Sequence, residues 1–248
     1  MKKCLYLAEW NFSPGNGISN KILAQRSALN NLFHTDLCFL ESERVLFNEK
    51  VLIKKGNSLL GRIIKYYSLF KVVKKQGYDL IYVRHINGFN SLLFYIFIQF
   101  LSSKTKVNIE VPTYPFSGEQ KNAPISVGER ISRFIEGKYK NRVSSVTYMG
   151  SHTEEIWGIP AIKLDNGVNV EDFRLIPIKM LEDELHIIGV GSLDFWHGYD
   201  RAIEGVAQST RKVFLHIVGE GIELDNLKNQ SSRLGIDKNV KFYGRLHS

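Results

Sequence analysis

The chain has 248 residues, enough for one large domain or one and a half to two ordinary ones, and its 44% hydrophobic and 23% charged residues exclude a disordered or low-complexity protein. The net charge of +8 is unevenly placed: residues 1–165 carry 23 Lys+Arg against 13 Asp+Glu, and residues 166–248 carry 10 against 12. A basic first part points to an anionic partner, and charge alone fits nucleic acid, a membrane face or a phosphorylated lipid.

Cys4 and Cys38 each sit in an apolar, strand-like run and read as reduced core thiols; no Cys/His spacing supports a metal site. Met1–Lys3 is basic, but too few apolar residues follow before Glu9 for a signal peptide, so a cytoplasmic protein is expected.

In chain order, Cys4–Ala8 predicts a strand, Trp10–Gly17 a turn-rich loop, Ile18–Leu29 a helix and Thr35–Leu40 a second strand. Gly15 and Gly17 lie between strand and helix, where a second group can approach the backbone closely. The pattern partly matches G-x-G-x-x-G, but position 20 is Asn, so a nicotinamide dinucleotide site with Glu41 as its ribose-binding acid is a minor reading. Lys54–Gln76 predicts a basic amphipathic helix with Leu59, Leu60, Ile63, Ile64, Tyr67 and Phe70 on one side and Lys65, Lys71, Lys74 and Lys75 elsewhere. Such a helix covers a sheet, lies on an anionic bilayer, or does both.

Asp79–Val83 is a strand followed by Arg84 and His85, at the end of the strand where ligands gather in open α/β sheets. Phe89–Leu101 is apolar but too short to span a bilayer. Val107–Val111 is a strand that the prolines at 112 and 115 are expected to stop, and Phe116–Asn122 is a polar loop. Glu129–Tyr139 then reads as a helix, Ser144–Tyr148 as a strand, Ser151–Trp157 as a short helix capped by Ser151, and Ala161–Leu164 as a strand. Residues 165–168 form a turn, and 171–184 read as a linker between a first domain (1–170) and a second (185–248).

The second domain opens with Ile187, Ile188 and Val190, an apolar run expected to be a buried parallel strand. Gly191, a loop with Trp196, His197 and Gly198, and a helix beginning at Asp200 and Arg201 follow it. Strand, glycine turn and helix start aim backbone amides at one place, which suits a phosphate. Val213–Val218, a Gly219–Gly221 turn, helix Leu224–Leu234 and strand Lys238–Tyr243 complete the alternation, which implies parallel sheets.

LDNGVNVEDF (164–173), IIGVGSLDFWHGYDRAIEGV (187–206), LHIVGEGIELDNL (215–227) and NVKFYGRL (239–246) together resemble the GT-B glycosyltransferases of family 4 (group 1). NIEVPTYPFSGE (108–119) is similar to the subgroup that builds capsule and other surface polysaccharides. The resemblance implies two Rossmann-like α/β domains with parallel sheets. It implies transfer of a sugar, with retention, from a UDP- or GDP-linked donor to a lipid-linked or polysaccharide acceptor. It implies no further cofactor, no metal and no nucleic-acid partner, with work at the inner face of the cell membrane.

By the same resemblance, Gly15, Gly17, Gly191, Ser192, His197, Gly198 and Arg201 would receive the donor diphosphate. Gly219, Gly221, Gly244, Arg245 and Leu246 would line the nucleotide site, and Thr113, Tyr114 and Glu119 would face the acceptor. Many relatives carry Arg at the position of Ser192, Lys at that of His197 and His near Thr113–Tyr114. His85 and Glu110 are therefore the catalytic candidates, and phosphate affinity would rest on Arg201 or Arg245. The family's paired glutamates would fall beyond Ser248, so only the first half of the second domain is expected, and a non-catalytic acceptor- or membrane-binding module is the alternative.

Overall fold

A computed structural model describes residues 1–115, 126–167, 170 and 184–246. The chain divides into two compact units, Met1–Val168 and Asn169–Ser248. The expected linker at 171–184 lies outside the described residues except for Glu184.

The first unit runs β1 (Lys3–Ala8), α1 (Gly17–Asn30), β2 (His34–Leu40), β3 (Arg44–Phe47), β4 (Lys50–Lys54), α2 (Leu59–Gln76), β5 (Leu80–Arg84), α3 (Phe89–Gln99), β6 (Lys106–Tyr114), α4 (Val127–Glu136), β7 (Ser145–Gly150), β8 (Glu155–Ile156) and β9 (Ile159–Lys163). Its sheet has the order β4-β3-β2-β1-β5-β6-β7-β9-β8. The strands from β2 through β9 pair in parallel, and an antiparallel hairpin arm closes each edge.

Alternation along β1 divides the core. Leu5 and Leu7 join Leu69, Phe94, Phe97 and Ile135 beneath α2, α3 and α4, whereas Cys4, Tyr6 and Ala8 meet Ile22 beneath α1. Both cysteines are free and buried, and burial pushes the Cys4 thiol up to about 12.

Three local expectations are corrected. Residues 44–54 form a hairpin turned by Asn48 and Glu49, both with positive φ, where no strands were expected. Asn48 holds the turn: its Oδ1 accepts from the Leu37 amide and its Nδ2 donates to Asp36. Residues 151–157 are not a helix. Trp157 and Gly158, at φ 56° and 70°, make a two-residue turn between β8 and β9, and the Trp157 ring packs on His85 and Tyr139. β6 continues through Pro112 to Tyr114, because the register shifts between Val111 and Tyr114 and no ladder donor is required of the proline.

Helix α2 begins at Leu59, capped by Ser58, and buries Gly61, Lys65, Tyr66, Leu69 and Val73. Of the side expected to cover a sheet or lie on a bilayer, Leu59, Leu60, Ile63 and Tyr67 are exposed. The register turns on Lys65, whose stem is buried while its Nζ donates to the carbonyls of Glu41 and Ser42 and to Asn57 Oδ1 at 2.8–3.1 Å. The apolar run Phe89–Leu101 holds the short helix α3, which ends at Gln99, and no helix of the described residues is long and apolar enough to cross a membrane.

The second unit contains β10 (Glu184–Val190), α5 (Tyr199–Gln208), β11 (Lys212–Val218), α6 (Leu224–Arg233) and β12 (Val240–Phe242) in one parallel sheet, β10-β11-β12. Leu215, Ile217 and Val240 pack with Leu193, Ile203 and Leu227 under the two helices. Against the expected burial of β10, Ile188 and Val190 are 67% and 72% exposed on the face opposite α5 and α6, and among the described residues β10 pairs with β11 alone. His186, His216 and Tyr243 stack on that face, with His216 bridging the other two at 2.8–2.9 Å.

Candidate functional site

In the second unit the loops after β10, β11 and β12 meet at one edge of the sheet. Gly191 N donates to Val218 O, Leu193 N to Glu220 O, and Gly219 N to Gly244 O, all at 2.9–3.0 Å. Glycine is required where these loops touch. A Cβ on Gly219, which sits at φ 148°, would overlap the Gly191 carbonyl, and one on Gly221 would overlap the Leu193 backbone. Gly219 and Gly221 thus hold the loop of Gly191 and Ser192 in place. Gly244, at φ 66°, turns the chain after β12, and Arg245 and Leu246 follow it exposed.

The same edge carries the start of α5. Phe195–His197 makes a single turn, Gly198 at φ 71° enters the helix, and no side chain caps its first amides. The first turns of α1, α2 and α4 are closed by Asn16, Ser58 and Ser126, whereas those of α3 and α6, like that of α5, have no side-chain cap. The uncapped amides of α5 leave a positive helix end. The Arg201 guanidinium lies over Gly198, where a Cβ would collide with it. Ser192, His197 and Arg201 are exposed around this helix start. Gly189 fits beneath the Tyr199 ring: a Cβ there would stand 2.6 Å from Cε1.

In the first unit, Gly15 (φ 73°) and Gly17 are exposed at the start of α1. The Ile18 and Ser19 amides at that start are already taken by Asn16 Oδ1, at 2.9 and 3.2 Å. Thr113 is exposed at the end of β6, whereas the Tyr114 ring packs edge-on against Tyr148. Glu119 lies outside the described residues.

Both catalytic candidates are interior. His85 is buried against Trp157, with Nε2 3.2 Å from Glu136 Oε1. Glu110 is 0% exposed beneath α1, paired with Arg84 at 3.3 Å and hydrogen-bonded by Tyr6 at 3.3 Å. Lys21 stands 4.0 Å from Glu110 and donates to Asn166 Oδ1 at 2.9 Å. Burial lowers the Lys21 pKa, against the pull of Glu110.

Sequence reading missed a cavity of about 310 Å³ where Glu9, Trp10 and Asn11 leave β1, Glu41 and Ser42 leave β2, and α2 contributes Arg62 and Lys65. Only tertiary structure brings these residues together. Glu9 is held by the Asn90 amide, and burial raises its pKa. The raised value means that folding stability falls as pH rises from the ordinary carboxylate pKa through that of Glu9, because the folded state holds the proton longer. Glu9→Gln is therefore expected to flatten this fall and raise the melting temperature at neutral pH, read by thermal melts from pH 4 to 8. An unchanged pH slope would contradict it. Glu41 accepts from the Phe12 amide and pairs with Arg44, so its carboxylate is engaged within the first unit.

Each unit is a Rossmann-like α/β sheet, the fold class of GT-B proteins. Residues 176–248 match the family described as Glycosyl transferases group 1. No curated protein sequence matches the chain. Among solved structures, Anabaena Alr3699/HepE in complex with UDP is similar at TM-score 0.66 and 15% identity, over 98% of this chain and 69% of that one. A glycosyltransferase from Rickettsia africae ESF-5 is similar at TM-score 0.65 and 14% identity, over 99% and 69%. The lipopolysaccharide outer core galactosyltransferase WaaB in its apo form follows at 0.57 and 15%, over 98% and 68%. At such identities the likeness concerns the fold.

Proposed function

We propose that the protein is a glycosyltransferase that moves a sugar from a UDP- or GDP-linked donor to a lipid-linked or polysaccharide acceptor, with retention at the anomeric carbon. The observation that carries this reading is the uncapped start of α5, flanked by Ser192, His197 and Arg201, within a segment matching a glycosyltransferase family. HepE has been crystallised with UDP and with UDP-glucose, which supports a nucleotide-sugar partner. Transfer breaks the bond from the anomeric carbon to the donor phosphate and forms one to an acceptor oxygen. The departing nucleoside diphosphate gains negative charge. In this reading the α5 amides, His197 and Arg201 receive that charge, with Gly191 and Gly198 permitting close approach. In this reading Gly219, Gly221, Gly244, Arg245 and Leu246 of the second unit would serve the nucleoside, and Thr113 and Tyr114 of the first unit would serve the acceptor.

UDP or GDP is expected to raise the melting temperature, and His197→Ala and Arg201→Ala each to weaken binding about tenfold, the scale of one hydrogen bond to a charged group. Unchanged affinity in either variant would remove that residue from the site.

An anionic membrane face is the surface on which we place this reaction. Leu59, Leu60, Ile63 and Tyr67 form an exposed apolar stripe on α2, extended by the contact of Phe70 with exposed Phe100. Exposed Lys71, Lys74 and Lys75 border it, Lys71 lying 4.6 Å over the Tyr67 ring. The chain is expected to sediment with anionic vesicles at low salt, less so at high salt, and Leu60→Glu with Ile63→Glu should abolish sedimentation. Equal sedimentation of the double variant would contradict this placement.

A further inference from the structure

The open face of the second unit carries a chain of polar contacts that ends at the loop of Gly244. Glu184 and His186 come from β10, His216 from β11, and Tyr243 follows β12; alternation puts all four side chains on the face opposite α5 and α6. His186 Nε2 stands 3.5 Å from Glu184 Oε2, His186 Nδ1 2.9 Å from His216 Nε2, and His216 Nδ1 2.8 Å from the Tyr243 hydroxyl. One set of tautomers satisfies the whole chain: the Tyr243 hydroxyl donates to His216 Nδ1, His216 Nε2–H to His186 Nδ1, and His186 Nε2–H points to Glu184. Tyr243 is 47% exposed and lies outside the core cluster of this unit, so among the described residues its side chain is held by His216. Tyr243 also opens the Gly244 turn. Its amide donates to Ile217 O, and the next carbonyl, that of Gly244, accepts from the Gly219 amide, both at 2.9 Å. A shift of Tyr243 is therefore passed to the contact between the Gly219 and Gly244 loops.

The chain accommodates one added proton and not two. With one, His216 becomes an imidazolium that donates to both neighbours, His186 Nδ1 and the Tyr243 oxygen. A second, on His186 Nδ1, sets two N–H groups and two like charges head to head across 2.9 Å. His186 is held from its other sides by Glu184 and by the Phe214 ring, stacked at 4.9 Å, so the displacement falls on His216 and passes to Tyr243. The other charged groups on this face, among the described residues, are Lys212, which pairs with Glu184, and Lys241, in register with His216. Neither offers His216 a counter-charge.

We propose that His216 is a positioning residue for the nucleotide: through Tyr243 it fixes the Gly244 turn, and charging both histidines releases that turn. The ligand rests on the nucleotide reading of Gly244, Arg245 and Leu246, and the coupling rests on the chain of contacts alone.

Two measurements on the full chain test it between about pH 5 and 8, the range in which imidazole ordinarily titrates. Backbone amide shifts of the nucleotide-free protein read the turn, and titration with UDP and with GDP reads affinity. The Gly219 and Gly244 amides are expected to move together with the His216 ring signals in the wild type and to stop doing so in Tyr243→Phe. At the upper pH, His216→Gln and Tyr243→Phe should each bind the nucleotide about threefold more weakly than the wild type, the scale of one neutral hydrogen bond. At the lower pH that difference should vanish, because the wild-type turn is then released as well. His186→Gln, which has no second ring to charge, should lose this acid-induced fall. His197 and the nucleotide's own phosphates are common to every form, so the differences between forms isolate the chain. Moving amides without binding of either nucleotide would support the coupling and overturn the nucleotide reading. Nucleotide binding with one pH dependence in all four forms, or Gly219 and Gly244 amides that stay still while both histidine rings titrate, would overturn the proposal and leave the nucleotide reading standing.

Discussion

Arg84→Met is expected to destabilise the first unit by about 3–5 kcal/mol, because it strips the main cation from a fully buried carboxylate. Glu110 has 0% exposure and stands 3.3 Å from Arg84; the remaining cation, Lys21, is 4.0 Å away and already donates to Asn166. Adding Glu110→Gln should recover much of the loss, since the charge left without its partner is then gone. Urea unfolding followed in the first unit reads both. A loss under about 1 kcal/mol in the single variant would place this pair among weak surface ion pairs and refute its structural role.

Gly219→Ala is expected to cost the second unit about 2–6 kcal/mol, combining backbone strain with overpacking. At φ 148° an L side chain is strained, and the new Cβ would overlap the Gly191 carbonyl, pushing apart the two loops that shape the proposed diphosphate site. Nucleotide binding should fall with it. Gly205→Ala is the control: nothing lies within 4 Å of its Cβ, and within α5 alanine should stabilise by about 0.5–1 kcal/mol. Thermal unfolding of both variants checks the pair. Equal melting temperatures would mean that the loop contact carries no structural weight.

Long, strongly patterned elements were legible in the sequence. The alternation of apolar strand and amphipathic helix placed β1, β2, β5, β7, β11 and β12 within a residue or two, since burial on both faces leaves near-continuous apolar runs in β1 and β2 and burial on one face leaves alternation in β11. Short hairpins were not. Asn48-Glu49 and Trp157-Gly158 adopt left-handed backbones that neither Glu nor Trp announces, and tertiary contacts to Asp36 and to His85 hold them there. The α2 register was misread because Lys65 is a buried cation that satisfies three oxygen acceptors, whereas a composition rule places lysine outside. His85 and Glu110 follow or end strands, where ligands gather, yet β5 and β6 are central strands and their side chains meet α4 and α1 instead of solvent. The glycine-rich loops of the second unit were readable because positive φ and backbone contact leave few other choices.

The central claim is that the uncapped start of α5 and the loop after β10 form a nucleoside diphosphate site. Titration of UDP and of GDP into the isotopically labelled chain, followed by backbone amide shifts, tests it most directly. Saturable shifts are expected at Gly191, Ser192 and the amides of residues 198–201. Absence of binding by either nucleotide up to millimolar concentration, or shifts that leave these amides unmoved, would contradict it.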